Sequence, residues 1–399
     1  MNRVEKIVGH LSPPKDTKSG ELQSNPTSLL YENRTNNKSK FRYTLDKDAD
    51  KILTGEQREF YEQNGFIVVR KLLSYVLFIS ILSYPLFVAI AVFVRHPEEV
   101  KFFFNRFDEL VENPKLRPRQ MVVMRDITLK DLTLADRVSP NVVTKLQEWA
   151  YEEELWKYAK HEKIVSYVKA ICGENLRAMH FMMINKPPDS GALSSRHPFH
   201  QDQWYFPFGP CDHTVCSWTA LQRIDRNNGC LSVVPGSHRN APGGKLITHD
   251  YPKYWHGPVN KAYHGVQIEN INVYCLEKKN GICFMLDLYV QNVLRQRVHL
   301  EMEAGDTVFF HPLLIHASGA NLSHANRRSI SVHYASSTMC EYFNVEELGQ
   351  QKIASEVQEM GKRTYGNIVV PFHSIWAAKS RQVSGDEGSL KLGQDPKNK

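Results

Sequence analysis

The chain has 399 residues, 42% of them hydrophobic and 23% charged, enough apolar mass for one large domain with extensions or two modest ones, which excludes a disordered chain as a whole. Its formal net charge of +7 is spread along the sequence without a Lys/Arg block, so no nucleic-acid partner is expected and small anionic ligands suit it better. Seven cysteines, odd in number and without a CxxC pair, point to free thiols in a reducing compartment.

Residues 1–20 lack the apolar core of a secretory signal. Arg3-Val4, five residues, then His10-Leu11 match instead the N-terminal peroxisomal targeting nonapeptide, an address read by a peroxisomal import receptor rather than an anchor. Pro, Ser, Asn and Lys dominate residues 12–40 and predict a disordered leader over 1–50. Thr54 with Gln57 reads as a capping box, opening a short helix that stops at Asn64-Gly65 before an apolar strand. Residues 75–94 (YVLFISILSYPLFVAIAVFV) form an uncharged run of 20, the length that crosses a hydrocarbon core of about 30 Å as a helix. Its flanks read as soluble, because Val100, Phe103, Phe104, Phe107 and Val111 then recur at helical steps over 96–113. Three readings stay open for the run: a membrane anchor, an insertion from a wrong gene model or retained intron, and a buried core helix.

Residues 121–173 read as mainly helical, with Trp149, Leu155, Trp156 and Tyr158 as an apolar core stripe. From Leu176 the texture changes to short β-rich segments at 176–185, 214–224, 230–234, 297–301, 307–310 and 329–336. The turns between them, such as Asn227-Asn228-Gly229 and Gly305-Asp306, supply the backbone angles that tight connections need. Many short strands without intervening helices predict an antiparallel double-sheet barrel. Residues 270–293 read either as a strand pair around Asn280-Gly281 or as a second insert. Residues 345–365 suggest a packing helix, and 377–399 a disordered polar tail.

The chemistry concentrates in two segments. In RHPFHQDQWYFP, His200 and Asp202 stand two apart, and residues i and i+2 of a strand face one side. An imidazole and a carboxylate there, joined by a distant histidine, make the 2-His-1-carboxylate face that suits iron(II) and leaves positions for an oxo-acid and O₂. GDTVFFHPLLIHASGANLSHANRR offers His311 and His316. His316 is the expected ligand, because Ser318 shares its face and Arg327 follows at a distance suited to a carboxylate partner. Strand parity puts Arg328 on the opposite face. His311 reads as a core histidine and His197 as a surface or supporting one; His180, His213, His238, His264 and His333 read as structural or substrate-edge residues. Gln201 and the turn at Asn228-Gly229 read as support for the site.

These segments, with GFIVV, VMRD, MHFMMINKPPDSG, VCSWTA, RNNGCL, PGSH, HDYPK and VNKAYHG, resemble the phytanoyl-CoA dioxygenase family. The likeness covers residues 54–71, 98–268 and 295–376. It implies a mainly β core with flanking helices, a double-stranded β-helix (jelly-roll, cupin-like) oxygenase domain over 51–376, with departures at the inserts 74–96 and 270–294. It implies Fe(II) held by His200, Asp202 and His316, and 2-oxoglutarate contacted by Lys145, Met182, Trp218, Ser318 and Arg327, with O₂ as cosubstrate and ascorbate as reductant. The implied reaction is hydroxylation of 3-methyl-branched acyl-CoA at carbon 2, the first step of α-oxidation, in the peroxisomal matrix. Two rival readings are a membrane-tethered oxygenase acting on another lipid and a non-catalytic acyl-CoA-binding homologue.

Overall fold

The computed structural model describes residues 52–73, 98–126, 132–189, 195–239, 296–342 and 371–391, with a few isolated positions besides. The leader, the two inserts and the helix expected over 345–365 lie outside, or almost wholly outside, the described residues. Among the described residues no helix is long and apolar enough to cross a membrane.

Helix α1 (Gly55–Asn64) opens on the predicted capping box: Gln57 N donates to Thr54 Oγ1 at 3.2 Å and Thr54 N to Gln57 Oε1 at 3.0 Å. It stops at Gly65, whose φ of +80° suits glycine, and the chain enters β1 (Phe66–Val69). The amphipathic α2 (Glu98–Glu112) follows. Residues 121–173 depart from the mainly helical expectation, holding strands β2 (Val122–Arg125) and β3 (Val143–Gln147) before α3 (Glu153–Ala159) and α4 (Glu162–Cys172). The valines at 122, 123, 142 and 143 favour extended backbone, and β3 gains a ladder by pairing Lys145 with Ile184.

The remaining strands come in quick succession: β4 (Leu176–Lys186), β5 (His197–His200), β6 (Phe208–Gly209), β7 (Thr214–Ala220), β8 (Leu231–Val233), β9 (Val298–Leu300), β10 (Thr307–Phe310), β11 (His316–Ser318), β12 (Arg327–Ser336) and β13 (Glu341–Tyr342). With β1, β2 and β3 they form a large sheet whose main path runs β1-β10-β7-β12-β4-β3-β2, seven of its eight strands, and a four-stranded sheet with order β5-β11-β8-β9. All pairings are antiparallel. Along the chain β4, β7, β10 and β12 go to the large sheet and β5, β8, β9 and β11 to the small one, the alternation that winds a jelly roll. The expected double-stranded β-helix is present.

Two apolar layers hold it together. Phe66, Val68, Trp218, Val308 and Phe310 of the large sheet meet Leu231, Val233 and Leu300 of the small one. On the outer face, Phe103, Phe107, Tyr158, Ile164 and Val168 of the helices cover Phe309, Ile330, Val332 and Tyr334. Val308 and Phe309 therefore serve opposite layers, as strand alternation requires.

The tail expected to be disordered is a second correction. Helix α5 (Phe372–Lys379) and strand β14 (Arg381–Ser384) are built into the fold, β14 pairing with residues 176–178 of β4 at the end that β3 leaves open. Polar composition hid this because the docking is largely polar: Arg177 Nε donates to Ser380 Oγ at 2.7 Å. Phe372, Trp376, Ala377 and Leu390 enter the core there, and Val383 packs against its edge.

Candidate metal centre and anion pocket

The small sheet sets the centre. His200, the last residue of β5, is the Cα partner of His316, the first of β11, and their rings lie 4.2 Å apart. Asp202 does not stay in the strand; after an extended Gln201 it opens a one-turn 3₁₀ segment, Asp202–Tyr205. Gln201 fixes that exit by donating to Leu313 O at 2.7 Å. The result brings one Asp202 oxygen, Oδ1, to 3.2 Å from His200 Nε2 and 3.6 Å from His316 Nε2. His200, Asp202 and His316 are all buried and offer donor atoms within 4.8 Å of one another.

Their protonation suits metal binding. His316 Nδ1 donates to Leu314 O at 2.9 Å, which leaves Nε2 as the bare nitrogen facing Asp202. Burial pushes the His316 imidazole down to about 4, against the pull of Asp202. Burial alone would raise the Asp202 carboxyl, but the His316 and His333 rings and hydrogen bonds from His200 and His333 hold it well below the usual carboxylate range. Two imidazoles and a carboxylate are the donor set that iron(II) takes, so the residues present fit that metal.

The same pocket is walled by Lys145, Met182, Trp218, Ser318 and Arg327. Every residue expected to contact 2-oxoglutarate therefore borders the cavity that holds the triad. Arg327, 1% exposed, donates from Nη1 to Ser329 Oγ at 3.0 Å and from Nη2 to Gly229 O at 2.9 Å. Its guanidinium lies 5.6 Å from the Trp218 ring centre, and Nε has no hydrogen-bond partner among the described residues. Burial lowers it to about 10. The Asn228-Gly229 turn earns its supporting role here: Gly229 has φ +83°, and a Cβ on it would stand 2.6 Å from Gly319 O, so only glycine lets the turn press this close.

Two inward residues stand closer to the centre than the sequence reading gave them, Lys186 unnamed there and His333 read as structural or substrate-edge. Lys186, 5% exposed, donates to Ser318 Oγ at 2.7 Å and to Gly319 O. Burial and then Arg327 push its ammonium well below the usual lysine range. Neither Lys186 nor Arg327 makes an ion pair among the described residues. Two buried cations without a counter-anion are costly alone and fit a carboxylate ligand. The second is His333, whose Nε2 lies 2.8 Å from Asp202 Oδ2. Strand parity could have found both, since Lys186 follows Met182 by four and His333 follows Arg327 by six on their strands.

Of the two places expected for His197, surface or supporting, it takes the second: it lines the pocket, with Nε2 3.3 Å from His200 Nε2. His311 is the core histidine expected, accepting from Leu313 N at 3.1 Å through Nδ1. Arg328 faces outward as parity predicts, pairing both nitrogens with Asp108 at 2.6 and 2.7 Å.

Residues 61–329 match the family described as Phytanoyl-CoA dioxygenase (PhyH). The chain is 38% identical over 389 residues to "Phytanoyl-CoA dioxygenase, peroxisomal" of Homo sapiens, covering 97% of this chain and 98% of that protein. It is 40% identical to "Probable phytanoyl-CoA dioxygenase" of Caenorhabditis elegans, covering 85% and 96%. Among solved structures, EctD from S. alaskensis with bound Fe overlays with a TM-score of 0.47 at 15% identity, covering 74% of this chain and 80% of that one; the fold assignment rests on the two sheets themselves. The chain belongs to the phytanoyl-CoA dioxygenase family.

Proposed function

We propose that the chain is an Fe(II)- and 2-oxoglutarate-dependent dioxygenase that hydroxylates phytanoyl-CoA and related 3-methyl-branched acyl-CoA thioesters at carbon 2. The observation that carries this reading is the meeting of His200, Asp202 and His316 in one pocket with a buried Arg327 that makes no ion pair among the described residues, in a chain closely similar along its length to proteins named for that activity.

Each residue then has a task. His200, Asp202 and His316 hold the metal, which when bound supplies the activation of O₂ that accompanies conversion of 2-oxoglutarate to succinate and CO₂. Arg327 receives the far carboxylate of the cosubstrate, each charge-assisted hydrogen bond contributing roughly 1.5 to 3 kcal/mol. Lys186 and Lys145 add positive charge to the same wall, Ser318 offers a hydroxyl, and Met182 and Trp218 exclude water from the cosubstrate's chain. His316 keeps a bare nitrogen toward the metal because its other nitrogen is committed to Leu314 O.

Relatives named as peroxisomal, together with Arg3-Val4 and His10-Leu11, support residence in the peroxisomal matrix by way of an import receptor. A fluorescent fusion of the whole chain tests that: punctate import lost on His10→Ala supports it, and unchanged import contradicts it.

The activity is tested by succinate release from purified protein with Fe(II), ascorbate and 2-oxoglutarate. Phytanoyl-CoA should stimulate release and appear as its 2-hydroxy product, and the His200→Ala, Asp202→Ala and His316→Ala variants should do neither while staying folded. Anaerobically purified wild type that retains no iron and makes no succinate would favour the non-catalytic acyl-CoA-binding reading.

A further inference from the structure

The geometry points to His333 as the positioning residue for Asp202, the group that decides which carboxylate oxygen is left for the metal. This rests on the metal reading above and adds a residue to it.

A carboxylate has two equivalent oxygens and a freely turning end. Unless something distinguishes them, it can present one oxygen, present both, or rotate away. In this site they are distinguished. Oδ1 faces His200 Nε2 and His316 Nε2 at 3.2 and 3.6 Å, while Oδ2 lies 2.8 Å from His333 Nε2. A proton on His333 Nε2, donated to Oδ2, occupies that oxygen and leaves Oδ1 for the ion. Partners of this kind orient metal ligands and typically change metal affinity 10- to 100-fold when removed.

Among the described residues no other group hydrogen-bonds to the His333 imidazole. It is 1% exposed, and its Nδ1 has no hydrogen-bond partner among the described residues. The rings of Phe206, His180 and Phe310 surround it, with centroids 4.9, 5.7 and 6.4 Å away. A purely space-filling position among such rings would be better served by an apolar side chain, because a buried nitrogen loses its water without recompense. The bond to Asp202 accounts for the histidine.

The backbone explains how it gets there. Arg327, Ser329, Ser331 and His333 occupy alternate positions of β12, opposite Trp218 and Cys216 on β7 through Ser331 and His333. One strand of the large sheet thus carries the carboxylate-binding arginine at its start and the Asp202 partner further along. The small sheet supplies both histidine ligands, and His333 is the link from the opposite sheet to the one acidic ligand.

The test is Mn(II) binding to the full chain, followed by loss of the free-ion signal in electron paramagnetic resonance, with thermal melting of each metal-free protein alongside. His333→Phe and His333→Leu cannot donate; His333→Gln can. The expected result is a 10- to 100-fold weaker Mn(II) affinity for Phe and Leu, restoration to within a few-fold by Gln, and 2-oxoglutarate KM unchanged in Gln. Wild-type affinity in folded His333→Phe or His333→Leu, with affinity lost in Asp202→Ala, would overturn the His333 assignment alone. Wild-type affinity in Asp202→Ala would overturn the metal reading beneath it. If neither Phe nor Leu folds, failure of folded His333→Gln to bind Mn(II) overturns the assignment, and its binding at near wild-type affinity upholds it.

Discussion

Arg327 and Lys186 are Cα partners across the β12–β4 ladder, two buried cations directly opposite one another with no ion pair to either among the described residues. Like charges so placed repel, and both side chains line the pocket in which 2-oxoglutarate is proposed to bind. Arg327→Ala and Lys186→Met should each raise the 2-oxoglutarate KM by about tenfold or more, the loss of one charge-assisted hydrogen bond. The metal-free melting temperature should move little. Steady-state kinetics with cosubstrate varied checks this, and an unchanged KM in both variants would remove them from the anion site.

Arg328 makes the opposite forecast from the next position along the chain. It reaches Asp108 with two hydrogen bonds and lies 4.3 and 4.8 Å from the ring centres of Phe104 and Phe107. Arg328→Ala removes a helix-to-sheet clamp and should destabilise by about 2 kcal/mol, with KM for 2-oxoglutarate preserved. Chemical denaturation alongside kinetics separates the two arginines.

That pair also shows what the sequence made legible. Alternation along a strand assigned Arg327 and Arg328 to opposite faces, and the pattern of His200, Asp202 and His316 named three side chains that converge in the fold. The capping box at Thr54 and the strand at 307–310 were equally readable, because their signals are local. What was missed depended on distant partners. Strands β2 and β3 sit among helical patterns and become strands by extending the sheet beyond β4. The polar segment at 381–384 is ordered only because part of β4 is left open to it. The same holds for the roles of His333 and Lys186: parity places them inward, but their partners Asp202 and Ser318 lie 131 and 132 residues away.

The ordered C-terminal segment can be tested through Trp376. It is 4% exposed and packs with its ring centre 5.3 Å from Phe206 and 5.7 Å from Phe208, directly behind the turn that carries Asp202. Trp376→Ala should cost about 3 to 5 kcal/mol, the range for emptying a buried aromatic site. Thermal melting should show a clear drop; a melting temperature equal to wild type would return this segment to the status of a loose tail.

A buried charge cluster joins the same segment to the barrel. Glu148 Oε1 lies 2.8 Å from Lys379 Nζ and 3.0 Å from His180 Nδ1. Burial pushes the His180 imidazole down to about 4 despite Glu148. The unfolded chain, with an ordinary histidine value near 6.5, binds more protons between those two values. Stability from this group is therefore present above about pH 6.5 and is lost as pH falls toward 4, by at most about 3 kcal/mol. Denaturation midpoints compared between wild type and His180→Asn over that range should converge as pH falls. Parallel curves would show that His180 does not titrate this way.

On the function proposed above, His200, Asp202 and His316 share one metal ion beside Arg327. A crystal structure of the full chain grown anaerobically with Mn(II) and 2-oxoglutarate tests it most directly. The account predicts one ion bound by Nε2 of both histidines and Oδ1 of Asp202, with the far carboxylate of 2-oxoglutarate on Arg327. An ion bound elsewhere, or a cosubstrate whose carboxylate avoids Arg327, would contradict it.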